Sequence, residues 1–88
     1  MIKYFLYILR CNDLTLYTGI TTDLKRRINE HNKSSLGARY TRGRRPVKLV
    51  YSKKFNSRSL ATKEEYRIKK LTRSKKMELI RLSRPFKA

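Results

Sequence analysis

"LYTGITTDLKRR", residues 16–27, decides how the chain is read. Its first part, with Thr15, forms the strand "TLYTGI". Gly19 weakens that strand, so either a bulge begins there or something approaches the backbone closely. Thr22 or Asp23 then caps a helix expected over residues 23–33. Upstream, "YFLYILRC" (4–11) is apolar at nearly every position, which suits a strand buried on both faces. Asn12-Asp13 is a turn signal, so the two strands form a hairpin. A tight two-residue turn would pair Ile8 with Tyr17 and put Tyr7 and Tyr17 on opposite faces. A bulge or a shifted register brings the two tyrosines onto one face.

Beyond the helix, "SSLGARYTRGRRP" (34–46) reads as a loop, long enough in so small a protein to suggest function. "VKLVYSKKF" (47–55) is a third strand. Asn56 or Ser57 caps a second helix over residues 58–71, and "SKKMELIRL" (74–82) is a third. The expected fold is α/β (α+β), a three-stranded antiparallel sheet flanked by helices in the order ββαβαα. Residues 1–82 make one domain, and 83–88 are expected to fray.

The totals agree with a small folded domain. Eighty-eight residues with 39% apolar content allow one compact core and no large enclosed cleft, so a substrate must lie on an open face. Twenty-four Lys and Arg against 6 acids give a net charge of +18. That excess opposes folding by self-repulsion and calls for a polyanionic partner. The cations alternate with apolar residues along the whole length, which argues against a disordered basic tail. No helix combines a broad Leu/Phe face with a basic one, so a membrane surface is not the expected partner. The single cysteine, Cys11, excludes a Cys-rich zinc site and fits a reducing cytoplasm. The apolar run from Tyr4 to Leu9 is too short for a signal segment, and no membrane span is visible.

Several residues break their local pattern. The first helix stripe is Leu24, Arg27, Ile28 and His31, apolar at two positions and polar at two. Arg27 and His31 are neighbours on one helix face. They read either as a snorkelling cation with a boundary histidine, or as a site. The second helix buries Leu60, Ile68 and Leu71, with Glu64 and Glu65 at the edge. Those acids read as surface ion pairs with Lys69 or Arg58, or, for Glu65, as something more. Tyr7 and Tyr17 are core aromatics or functional phenols. Tyr40, Arg42, Arg44 and Arg45 make the long loop basic and aromatic, which reads either as a solvated charge run or, with the interleaved tyrosine and Gly-flanked arginines in its favour, as phosphate contact.

"FLY" (5–7), "YTG" (17–19), "DLKRRINEH" (23–31), "GARYTRGRRP" (37–46) and Glu65 ahead of Ile68, in this order, resemble the GIY-YIG endonuclease domain. The likeness covers roughly residues 3–80 and is greatest to the small stand-alone bacterial members. It is also similar to the catalytic domain of the eukaryotic structure-specific junction nuclease. The name motif is degenerate, keeping Tyr7, Tyr17 and Gly19. Ile20 stands where some members have lysine, and no Asn follows Asn56. The resemblance implies catalytic roles for Tyr7, Tyr17, Arg27 and His31, and makes Glu65 the one metal-binding carboxylate. It implies nucleic-acid contacts at Gly19, Arg39, Tyr40, Arg42, Arg44 and Arg45.

The implied reaction is hydrolysis of DNA phosphodiesters, selective for flaps, branches or single strands more than for base sequence. RNA is left open alongside DNA. A divalent cation, Mg²⁺ or Mn²⁺, is the implied cofactor. Mg²⁺ tolerates a single carboxylate because it keeps most of its waters. Arg27 can fork onto phosphate oxygens. His31, the only histidine, titrates near 6.5 when unperturbed, which suits a base. A tyrosine base, at about 10, needs cations beside it. The two hydroxyls are expected to converge on Arg27 and Glu65. The alternative is an inactive basic module that binds nucleic acid, or a subunit that needs a protein partner. The chain is expected to act as a monomer or weak dimer.

Overall fold

The computed structural model describes residues 2–33 and 36–83. Its elements are β1 (Tyr4–Arg10), β2 (Leu16–Thr21), α1 (Leu24–Lys33), α2 (Arg39–Arg42), β3 (Lys48–Phe55), α3 (Arg58–Lys69) and α4 (Arg73–Ser83). The order ββαβαα holds, with the four-residue α2 set inside what reads as loop in the sequence. The fraying expected at the C-terminus falls, from residue 84 on, outside the described residues.

The sheet is antiparallel in the order β2-β1-β3, so β1 is central. Leu6, Tyr7, Ile8 and Leu9 are all buried, which is why that stretch is apolar without alternation. Leu6 and Ile8 pack on one face with Ile68 of α3 and Ile80 of α4. Tyr7 and Leu9 pack on the other with Val47 and, from α1, Leu24 and Ile28. The buried stripe of α3 is carried by Ala61 and Ile68. Leu60, expected inside, is 50% exposed, and its neighbour Ala61 takes the buried position in its place.

The hairpin sets the phase of the site. Cys11 N–H donates to Thr15 O (2.8 Å), and Leu14 N–H donates to Cys11 O (2.9 Å). Leu14 adopts φ 71°, the left-handed conformation that closes a three-residue loop with a bulge. The loop is therefore one residue longer than a tight Asn12-Asp13 turn. Tyr7 stands opposite Gly19, and Leu9 opposite Tyr17. Strand side chains alternate, so Tyr7 and Tyr17 share the α1 face.

Caps fix the helices. Asp23 accepts from Arg26 N–H (3.0 Å) at the start of α1, and Ser57 accepts from Leu60 N–H (3.2 Å) at the start of α3. Asn32 holds the end of α1 to Val47 by two bonds, accepting from Val47 N–H (2.7 Å) and donating to Val47 O (3.2 Å).

Candidate functional site

The site grows from the one glycine in β2. A Cβ on Gly19 would lie 2.6 Å from Tyr7 Oη and 2.8 Å from Tyr7 Cζ. What approaches this backbone closely is Tyr7 itself. The side-chain gap at Gly19 is filled from across the hairpin, so the position serves Tyr7 before any ligand.

Tyr7 begins a buried polar chain. Its hydroxyl is 2.9 Å from His31 Nε2, and His31 Nδ1 is 2.8 Å from Thr41 Oγ1. Thr41 donates its own proton to Ala38 O (2.9 Å). It can therefore only accept from the imidazole, which places the His31 proton on Nδ1. Nε2 then accepts from Tyr7. Ala38 N–H, 3.5 Å from Nδ1, lies at the edge of bonding range and does not compete. His31 and Thr41 are both fully buried.

These contacts set the protonation states. Burial, helped by the positive charges of Arg27 and Arg45, pushes the His31 pKa down from 6.5 to about 4. The imidazole is neutral at pH 7 with both nitrogens engaged, so it is not the free base its ordinary pKa suggests. Burial raises Tyr7 from 10.0 to about 12, against the lowering influence of the Arg27 guanidinium. The neighbouring Tyr17 and Glu65 also oppose its ionisation. Tyr7 is a neutral donor.

Tyr17 is placed differently. It is half-buried, 5.2 Å from the His31 ring and stacked on Tyr40 at 5.8 Å, centroid to centroid. Its ring centroid is 6.4 Å from that of Tyr7. No hydrogen bond from the Tyr17 hydroxyl occurs among the described residues.

Arg27 enters one turn into α1. Its Nη1 donates to Glu30 Oε1 (2.8 Å) and to Leu36 O (2.8 Å). Burial works against its charge, but the bonds to Glu30 and Tyr7 outweigh that and hold its pKa above the ordinary value. Glu30, not Glu65, is its acidic partner. A groove of about 310 Å³ runs past Arg27, lined also by Arg26, Glu30, Arg58, Ile20 and Thr21. Three guanidiniums against one carboxylate make it a hollow for anions.

Glu65 lies on α3, one turn beyond the buried Ala61 and two turns beyond Arg58 of the groove. Its oxygen pairs with Lys69 at 3.1 Å. Glu64 instead forks with Arg67 (2.9 and 2.6 Å), so neither acid pairs with Arg58. Among the described residues no three His, Cys, Asp or Glu side chains gather into a metal cluster.

The basic loop divides in two. Arg45 donates to the carbonyls of His31 and Glu30 and thereby caps α1. Arg44 bonds Asp13 (3.0 Å) and Tyr40 O (2.8 Å), and its guanidinium sits 4.2 Å over the Tyr40 ring. Tyr40 thus has Arg44 on its ring as well as Tyr17, which leaves little of it to stack on a ligand. Arg39 and Arg42 face solvent. Sequence reasoning misses Thr41, Glu30, Arg26 and Arg58. The first two were legible only as a threonine inside the basic loop and an acid one turn after Arg27.

A family model described as the GIY-YIG catalytic domain matches residues 3–78. A UPF0213 protein of Desulfotalea psychrophila is 56% identical over 80 residues, spanning 91% of this chain and 73% of that protein. Another, from Clostridium perfringens, is 54% identical over 76 residues, spanning 86% and 81%. The solution NMR structure of a UPF0213 protein from Bacillus halodurans superposes with a TM-score of 0.62 at 46% identity, over 93% of this chain and 86% of that one. A solution NMR structure from E. faecalis gives a TM-score of 0.63 at 38% identity, over 100% and 96%.

Proposed function

The chain belongs to the GIY-YIG family of nuclease catalytic domains, and from that premise we propose that it is a divalent-metal-dependent endonuclease acting on branched, flapped or single-stranded DNA. The observation that carries the reading is Arg27, which lines a groove with Arg26 and Arg58 and also bonds Tyr7, whose ring neighbours that of Tyr17. Phosphodiester hydrolysis needs a base for the attacking water and positive charge at the phosphate.

Tyr17 is the phenol fit to accept the water's proton once its own has passed to solvent, because none of the described residues engages its hydroxyl while Tyr7 already donates to His31. His31, Tyr7 and Tyr40 hold the Tyr17 ring in place. Arg27 is aimed by Glu30 and Leu36 O, and the remainder of its guanidinium serves Tyr7 and the groove. Arg26 and Arg58 line the same groove and bind backbone phosphates on either side. Solvent-facing Arg39 and Arg42 extend that contact.

Glu65 fits the role of metal carboxylate. It is a hard oxygen donor, partly exposed, and among the described residues its ion-pair partner is a surface lysine that a divalent cation can displace. A lone carboxylate suits Mg²⁺ or Mn²⁺ carrying mostly water. When bound, the cation supplies charge neutralisation at the scissile phosphate.

The test is cleavage of labelled flap, junction, single-stranded and duplex DNA in Mg²⁺ or EDTA, beside Arg27→Ala and Glu65→Gln. The reading requires cleavage that EDTA abolishes and that each substitution lowers by about 10²- to 10³-fold. Salt-sensitive binding without cleavage favours a nucleic-acid-binding module instead. No described helix is long and apolar enough to cross a membrane.

A further inference from the structure

Tyr66 stands apart from every role assigned above. It follows Glu65 on α3 and is 64% exposed, so its ring buries almost nothing in the core. Among the described residues its one ring contact is the Lys70 ammonium, 4.2 Å from the centroid. Lys63, one turn earlier on α3, is exposed on the same side. A cation behind an aromatic ring, another cation beside it and open solvent over the rest of the ring form a platform for a nucleobase. Tyr40 offers no such platform, because Tyr17 and Arg44 already occupy its ring.

Resting on the nuclease reading, we infer that Tyr66 stacks an unpaired base of the bound strand, with Lys63 and Lys70 on its phosphates. The occupant follows from charge and shape. A chain of net charge +18 selects a polyanion. An exposed π-face accepts a base only where that base is not already stacked in a duplex. The placement also meets a need of the fold. A domain with only an open groove gains its grip from a second contact on the helix that carries Glu65. Tyr66 is therefore a specificity-determining residue that favours single-stranded segments over continuous duplex.

The experiment is fluorescence anisotropy in EDTA, with labelled twelve-nucleotide oligo-dT and a twelve-base-pair duplex as probes, for wild type, Tyr66→Leu and Tyr66→Phe. Leucine keeps the apolar bulk and helix preference but removes the π-face, and circular dichroism checks that each variant folds. Tyr66→Leu should lose about five- to hundredfold in single-strand affinity, the range of one base–aromatic stack. Duplex affinity should change less than about twofold, and Tyr66→Phe should bind as wild type. Single-strand binding by Tyr66→Leu equal to wild type overturns the inference, as does an equal loss on both probes or a wild type that binds no single strand. The nuclease reading is judged separately by Mg²⁺-dependent cleavage, so either can fail alone.

Discussion

Gly19→Ala probes the hairpin at the point where the site is tightest. The new Cβ would meet Tyr7 Oη at 2.6 Å, Tyr7 Cζ at 2.8 Å and Tyr17 Cε2 at 3.2 Å. Carbon atoms settle at about 3.5 Å or more, so the Tyr7 ring must retreat by roughly 1 Å. It has nowhere to go, because Tyr7 is 1% exposed and its hydroxyl is fixed 2.9 Å from His31 Nε2. Overpacking of this kind costs about 1–3 kcal/mol, and loosening the hydrogen bond adds about 1 kcal/mol. Alanine recovers about 0.5–1 kcal/mol relative to glycine in a strand. The expected net destabilisation is about 1–3 kcal/mol, read by urea unfolding at pH 7. Tyr7→Phe removes the nearest clashing atom, so the alanine should cost less in that background, with a coupling of about 1 kcal/mol in the double-mutant cycle. A Gly19→Ala protein as stable as wild type, or strict additivity with Tyr7→Phe, would refute the packing argument.

Two further outcomes follow from the same contacts. His31 binds its proton at about 4 when folded and near 6.5 when unfolded. Between those values the unfolded chain holds the extra proton, so stability is full above about pH 6.5 and falls as pH drops toward 4. An imidazole NMR titration should show His31 neutral at pH 5.5 with its proton on Nδ1; a midpoint near 6.5 would show that the ring is not buried as described. Leu14→Gly should raise the melting point, because Leu14 sits at φ 71° and is 60% exposed, so it holds a strained backbone for little packing in return. The gain should be up to about 1 kcal/mol, and a loss of stability would mean that the leucine side chain supports the loop.

Most of the architecture was legible because it follows from patterns with few alternatives. The continuous apolar run of β1 suits a strand buried on both faces, and each helix start was narrowed to two adjacent cap candidates, of which Asp23 and Ser57 serve. The phase of the hairpin was not legible. Nothing about Leu14 marks it as left-handed, since leucine disfavours that conformation, yet the register depends on it. Residue type identified Arg27, His31 and the tyrosines as unusual but could not show what each one faces. Glu30 took the salt bridge to Arg27 because it is three residues away on the same helix, whereas Glu65 comes from a different element. Arg44 and Arg45 looked like phosphate ligands for want of visible partners. Their partners, Asp13, Tyr40 O and the carbonyls ending α1, are brought near only by the folded loop.

The central claim is that Tyr17, having passed its own proton to solvent, accepts the proton from the attacking water while Tyr7 is locked as a donor. Single-turnover cleavage of a labelled flap in saturating Mg²⁺ by Tyr17→Phe measures it directly. The account predicts a fall of about a hundredfold or more with DNA affinity unchanged, the usual loss when a catalytic base is removed. A Tyr17→Phe protein that cleaves at the wild-type rate would contradict it.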